Sequence, residues 1–245
     1  MMKTLGLTTA ALMAALTAPA QAQVATVTVT GNVLNGLDAT GRFGAAGANL
    51  AGLPFSAIFT IAAKGGTTAV DTSALSFLYG AGAASPVSAA LTIGTGTYNF
   101  GGSWSGTARA TNGVTPSGVN GTDSLYYAAE DTDVSTMPPP PASSLLYVSI
   151  DSLRDLLDSA DYNSYSTISL NGSDNAQGLA QIAHYDPATG SYGPMTYANL
   201  SLSTISAKAT AAVPEPATWM MMILGFGMAG AALRRQRVRS RVRFA

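Results

Sequence analysis

The sequence predicts a mainly β body, an antiparallel β-sandwich or jelly-roll-like domain with one short helix, flanked by an apolar helix at each end. Three observations carry this expectation. Short stretches of apolar/polar alternation recur along the body, the period-two signature of half-buried strands. Clusters of Gly, Asn, Asp and Ser separate them. Uncharged apolar runs long enough to approach a membrane thickness occur only near the two ends.

The elements follow in chain order. Lys3 precedes an Ala-rich apolar stretch, Leu5 to Leu16, and Pro19 ends it. Ala20-Gln21-Ala22 then places small residues at the −3 and −1 positions of a signal-peptidase site, so residues 1–22 read as a signal peptide cleaved before Gln23. Translocon and signal peptidase are the implied partners. The expected domain spans 23–207. Alternation marks Val24–Thr30, Phe55–Ala62, Val87–Ile93, Leu145–Ile150, Tyr165–Leu170 and Leu200–Ile205 as strands. Asn35-Gly36, Lys64-Gly65-Gly66, Asn112-Gly113, Asn120-Gly121 and Asn171-Gly172 read as tight turns. Ile150 to Ala160 reads as the helix, with Ile150, Leu153, Leu156 and Leu157 on one face and Asp151 or Ser152 as cap. Pro138 to Pro141 cannot continue a central strand and reads as a surface loop, or as a divider between 23–136 and 142–207. Residues 206–213 read as a small-residue stalk, continued to Pro216 by the box described below.

Charge is unevenly spread. The chain has 245 residues, 12 Lys plus Arg, 13 Asp plus Glu and no cysteine, with a formal net charge of −1 and a mean hydropathy of +0.23. Residues 23–212 contain five basic and twelve acidic residues, a net of −7. Arg234, Arg235, Arg237, Arg239, Arg241 and Arg243 give the tail +6. The acidic body repels phosphate backbones, which argues against nucleic acid as its partner. Absence of thiols excludes a disulfide scaffold and cysteine-ligated zinc. A body of about 190 residues can bury a sufficient core without disulfides.

From Ala217 to Leu233 run 17 uncharged residues, roughly 26 Å as a helix, close to a hydrocarbon core. Trp219 suits the headgroup level at one end, and the arginines at the other place residues 234–245 in the cytoplasm and the body outside. Gly225-Phe226-Gly227-Met228-Ala229-Gly230 spells G-x-G-x-x-G, but no strand precedes it and no acid follows, so it is not a dinucleotide site. Its small residues suit close helix–helix approach, as at Gly227 and Ala231. Just before the span stands Val213-Pro214-Glu215-Pro216, a rigid, extended, singly charged peptide of the kind that fits a protease cleft.

Pro214-Glu215-Pro216, then Trp219, an apolar span with a Gly-Phe-Gly core, and then an arginine cluster resemble the PEP-CTERM sorting signal over about residues 212–237. The variant written PEPxxWA followed by MMIxGFGxxG and RR is the nearest pattern, with Met220 where it usually has alanine. The resemblance implies a substrate of an exosortase, a membrane-embedded transpeptidase or protease acting near the box. It further implies a transient inner-membrane anchor with the body in the periplasm, followed by release to the cell surface or matrix of a Gram-negative, exopolysaccharide-making bacterium. Two body segments, Gly31 with Asp38–Gly44, Asn49–Gly52 and Phe55, and His184–Pro187 with Tyr197–Leu200, are similar to exported PEP-CTERM bodies of uncharacterised function. That implies a shared sandwich-like module and no catalytic residue.

Chemistry in the body is sparse. His184 is the one histidine, too few for a His-based transition-metal site, and no G-x-S-x-G accompanies it. It reads as a strand or loop residue. Glu130, Asp131 and Asp133, or Asp151, Asp155, Asp158 and Asp161, could offer oxygens to calcium, yet neither set matches the D-x-[DN]-x-[DN]-G loop, and a solvated acidic loop or helix face accounts for them better. Tyr126, Tyr127, Tyr162, Tyr165, Tyr185, Tyr192, Tyr197 and Trp104 could form a sugar-stacking platform or serve as ordinary strand residues. No cofactor is expected. The reading is an exported, non-enzymatic surface or matrix protein associated with exopolysaccharide. A secreted carbohydrate-active hydrolase using a carboxylate pair is the alternative.

Overall fold

The structure, a computed structural model, describes residues 24–113, 123–133 and 142–210, together with 225–228, 230 and 234. The chain forms two compact units, Gln23–Thr210 and the two terminal segments, Met1–Ala22 with Ala211–Ala245.

The body is built from β1 (Val24–Asp38), β2 (Ala48–Asn49), β3 (Pro54–Ala62), β4 (Thr68–Asp71), β5 (Leu75–Ala81), β6 (Val87–Ile93), β7 (Gly96–Phe100), β8 (Ser105–Thr111), β9 (Asp123–Asp131), β10 (Ser144–Ser152), β11 (Tyr165–Ser169), β12 (Asn175–Ile182), β13 (Tyr185–Asp186), β14 (Ser191–Tyr192) and β15 (Thr196–Thr210). Among the described residues, one 3₁₀ turn occupies Gly82–Ala84. All pairings are antiparallel. One sheet runs β4-β5-β8-β9-β10-β12-β15-β1-β3-β6-β7, with β2 added to β1 and β11 to β15, while β13 and β14 form a separate hairpin.

The expected sandwich of two sheets is therefore one continuous sheet curled on itself, so that β6 and β7 approach β8, β9 and β10 across the interior. Each strand turns alternate residues inward. Val27 and Val29 of β1, Phe59 and Ile61 of β3, Leu91 and Ile93 of β6, and Leu146, Val148 and Ile150 of β10 are buried. Across the interior the rings of Phe59 and Tyr127 lie 5.8 Å apart. Where β8 and the β7–β8 connection pass close to Val87 of β6, only glycine fits. A Cβ on Gly106 would stand 2.7 Å from the Val87 nitrogen, and one on Gly102 (φ +72°) 2.0 Å from the Val87 carbonyl oxygen.

All six alternating segments are strands. β1 and β15 extend well past the alternation because register shifts absorb the mismatch between them, at Thr30/Gly31 and Val33/Asn35. The second shift pushes Leu34 outward, 69% exposed. It also keeps Asn35-Gly36 inside β1 instead of in a turn. Gly66 and Gly113 do take the left-handed conformation expected of them, Asn171-Gly172 does lie in the β11–β12 turn, and Asn120-Gly121 lies outside the described residues. The segment expected as a stalk is strand as far as Thr210, which pairs with Val24. The polyproline run lies outside the described residues, but β9 and β10 on either side of it are paired from Ser144–Asp131 to Ser152–Asp123, and the body does not divide there.

The expected helix at Ile150–Ala160 does not form. β10 continues through Ser152, and residues 153–160 are not helical. Side chains take the donors that a helix would have paired internally. The Arg154 N–H donates to Ser152 Oγ (2.9 Å), and the N–H groups of Leu156 and Leu157 donate to Asp123 Oδ2 (2.6 and 2.8 Å). Leu157 is then buried and Leu153 is 78% exposed, so the four-residue apolar face is split.

Candidate functional site

The carboxylates suggested as calcium ligands each serve a different loop. Asp131 accepts from the N–H groups of Gly101 (2.8 Å) and Ser103 (2.9 Å) and from the Ser103 hydroxyl (3.1 Å), pinning the β7–β8 connection. Glu130 accepts from Ser105 Oγ at 2.6 Å. Asp133 accepts from the Tyr185 N–H at 2.9 Å and lies 3.1 Å from His184 Nδ1. Asp151 lies in β10, while Asp155, Asp158 and Asp161 follow in the non-helical segment, so helical spacing does not align them. Among the described residues, no group of three or more His, Asp or Glu side chains gathers where a metal could be held.

Three more aspartates fasten the fold. Asp38, fully buried, accepts from the N–H groups of Arg42, Phe43 and Gly44 and from Thr196 Oγ1. Burial raises its pKa, but these donors outweigh it and the carboxyl sits below its ordinary value. Asp123 accepts from Gly113 N–H as well as from Leu156 and Leu157. Asp174 pairs with Arg154, which also donates from Nε (2.9 Å), and accepts from Ser152 Oγ (2.6 Å) and the Asn171 N–H (2.9 Å). The Arg154 hydrogen bond, against burial and with help from Ser152 and Asn171, holds its carboxyl at about 2. Sequence reading assigned this role to none of them: the Asp123 and Arg154–Asp174 contacts join segments ten to 34 residues apart, whereas Asp38 takes three N–H groups four to six residues on, within the Asp38–Gly44 segment.

His184 is exposed between β12 and β13, with Asp133 as its ion-pair partner among the described residues and Asp186 also within its electrostatic reach. Among the described residues, no serine hydroxyl bonds to it, so no nucleophile–base pair is assembled.

The aromatic residues do not form the single platform that the sequence suggested. Tyr127 points inward: burial pushes its pKa up, its hydroxyl donates to the Tyr162 carbonyl (2.9 Å), and it lies 3.0 Å from the Tyr165 hydroxyl. Tyr185 and Tyr192 meet edge to face within the small hairpin, 5.2 Å apart. Trp104 holds the β7–β8 connection through its backbone, donating to the Glu130 carbonyl. Tyr126 turns outward. It stacks with Tyr147 at 6.1 Å, and the Arg109 guanidinium lies 5.4 Å from its ring centre. On β5, Phe77 and Tyr79 lie nearly parallel, 6.4 Å apart. Of these four outward rings only Tyr126 belongs to the expected platform; Phe77, Tyr79 and Tyr147 do not.

A cleft of about 440 Å³ opens between the β4–β5 turn and the segment 159–163, lined by Asp71, Thr72, Ser76, Asp161, Tyr162 and Asn163 among others. Both aspartates raise the Tyr162 pKa, though less than burial does. Asp161 accepts the Asn163 N–H at 2.7 Å.

In the terminal unit, Gly225–Met228, Gly230 and Arg234 are helical, and Phe226 and Met228 are exposed. Among the described residues, no helix is long and apolar enough to cross a membrane. The remaining predicted signal residues (Ala20, Ala22, Gln23, Val213, Pro214, Glu215, Pro216, Trp219, Arg235 and Arg237) lie outside the described residues.

A β body whose acids mostly fasten its own loops, followed by a tail of box, apolar run and arginines, defines a chain addressed by its terminus. Residues 212–237 match the family model described as the PEP-CTERM protein-sorting motif. The tail thus carries a PEP-CTERM sorting motif, which implies export, a transient membrane anchor and exosortase-type processing. The match does not reach the body. No curated protein and no solved structure matches the chain.

Proposed function

We propose that the chain crosses the inner membrane through the translocon, loses residues 1–22 to signal peptidase, and is held by the helix 217–233 with its body in the periplasm. An exosortase-type enzyme then acts near Val213–Pro216, and the body is displayed at the cell surface or in the matrix as a non-enzymatic structural or adhesive module associated with exopolysaccharide. The match of 212–237 to the sorting motif carries this reading. The body supports it in two ways. Val24 pairs with Thr210, so the segment after the signal site and the segment before the box leave the same end of the sheet, one strand apart. The acids from 123 to 133 are mostly occupied by loop hydrogen bonds, which suits scaffolding better than catalysis. Mass spectrometry of the mature protein tests it. A start at Gln23 and an end between Val213 and Pro216 are expected, whereas an end at Ala245 refutes processing.

A second reading, a carbohydrate-active hydrolase, is favoured by one observation. Asp71 and Asp161 line the same cleft, as a carboxylate pair flanking a glycosidic bond would.

A further inference from the structure

We propose that the outer face of β5, β8, β9 and β10 is a binding site for acidic, uronate-bearing polysaccharide, with Arg109 as the group that reads the carboxylate. The proposal rests on the exopolysaccharide reading above and assigns it a surface.

The sheet register places the residues. Phe77, Arg109 and Tyr126 are direct cross-strand neighbours. One row along, Tyr79 is joined through Thr107 and Ala128 to Tyr147, and Tyr147 to Leu179 of β12. These side chains face away from the core because Leu78, Ala108, Ala110, Leu125, Tyr127 and Val148, which alternate with them, are buried. The result is a band of four aromatic rings and one leucine across four neighbouring strands and β12, with Tyr79 at 40% exposure. Aromatic rings on an outer sheet face offer apolar surface to the C–H faces of sugar rings.

Arg109 sets the charge preference. It forms no ion pair among the described residues, and its Nε is buried without an acceptor. The guanidinium is held against Tyr126, and a planar fork fixed in this way is suited to a carboxylate. Glu130 lies on the same face two register rows away, roughly 13 Å along the strand. The acidic sugar therefore belongs at the Arg109 end and a hydroxyl-rich neutral one toward Glu130. The −7 body opposes an anionic polymer at long range. That repulsion is screened beyond about 8 Å at physiological ionic strength, whereas the arginine contact is short-range.

The test measures binding of the full-length chain, in detergent, to immobilised polygalacturonate and to neutral dextran. The chain should bind polygalacturonate about tenfold more tightly than dextran. Arg109→Gln should abolish that preference while Arg109→Lys keeps part of it, and Tyr79→Ala should weaken both about fivefold. Near-ultraviolet circular dichroism confirms that each variant is folded. Wild-type binding without preference, or unchanged preference in Arg109→Gln, overturns the site but leaves polysaccharide association standing. No binding to either polymer overturns both. Concentration-dependent self-association that Tyr79→Ala removes assigns the face to a second copy and also overturns the proposal.

Discussion

Replacing Asp123 tests whether a single buried carboxylate decides the shape of the segment after β10. Asp123 is 3% exposed. Its Oδ2 takes the N–H groups of Leu156 and Leu157 at 2.6 and 2.8 Å, and its Oδ1 takes the Gly113 N–H at 2.9 Å. Hydrogen bonds to a charged group contribute about 1.5–3 kcal/mol each, and an orphaned buried donor costs about 1–3 kcal/mol. Asp123→Ala orphans three donors, two of them on half-buried residues that water can partly satisfy, so a loss of about 3–5 kcal/mol is expected. That approaches the whole stability of an ordinary domain. Asp123→Asn is the safer variant. Its amide oxygen can keep the Leu156 and Leu157 bonds in weaker, neutral form, but its NH₂ then faces the Gly113 N–H, for a loss of about 2 kcal/mol. Urea unfolding of the full-length chain gives the free energies, and hydrogen exchange at the Leu156 and Leu157 amides localises the effect. If Asp123→Ala costs under about 1 kcal/mol with unchanged exchange at both amides, the clamp does not hold the segment and the account of the missing helix fails.

Two further outcomes follow from the same geometry. Asp174 has its carboxyl held at about 2 against an ordinary 3.8, so its contribution is fully present above the unfolded value and is lost as pH falls toward 2. Asp38 acts in the same sense. Stability should therefore decline from about pH 5 downward, with a shallower slope in Asp174→Asn, and equal slopes would remove the Arg154–Asp174 pair as the cause. If the body is a hydrolase working in the β4–β5 cleft, Asp71→Asn and Asp161→Asn each abolish turnover of a polysaccharide that the wild type cleaves, without lowering the unfolding midpoint. Turnover that survives both substitutions excludes that cleft.

Much of the body was legible because strand alternation is a local property. Val87–Ile93 is a strand over the whole of the range its alternation marked, and the turn glycines Gly66 and Gly113 have the positive φ their positions suggested. β8 escaped notice because its buried positions are filled by serine, glycine, alanine and threonine instead of large apolar residues, and β9 because buried Ser124, Ala128 and Ala129 break the alternation around Leu125 and Tyr127. Alanine is a weak strand signal, and small side chains are what a tightly curled sheet demands beside Gly106 and Val87. Segment 150–160 was misread because its helical period is real, while the hydrogen-bond partners that override it come from β9, about thirty positions away in sequence.

The tail belongs to the opposite case. Its address is written in contiguous residues, a proline box, an apolar run and arginines, which a membrane and its enzymes read in order. Composition and local pattern were therefore enough to show a tether, the contiguous box, span and arginines carried the resemblance, and residues 212–237 match the motif. The body's arrangement depended on long-range closure. Whether a tyrosine joins the core, as Tyr127 does, or the outer face, as its neighbour Tyr126 does, follows from which way the sheet curls. Whether an aspartate is a free ligand or a loop clamp depends on which backbone N–H groups arrive beside it. Both are settled by contacts between residues far apart in the chain, and local pattern carries no record of them.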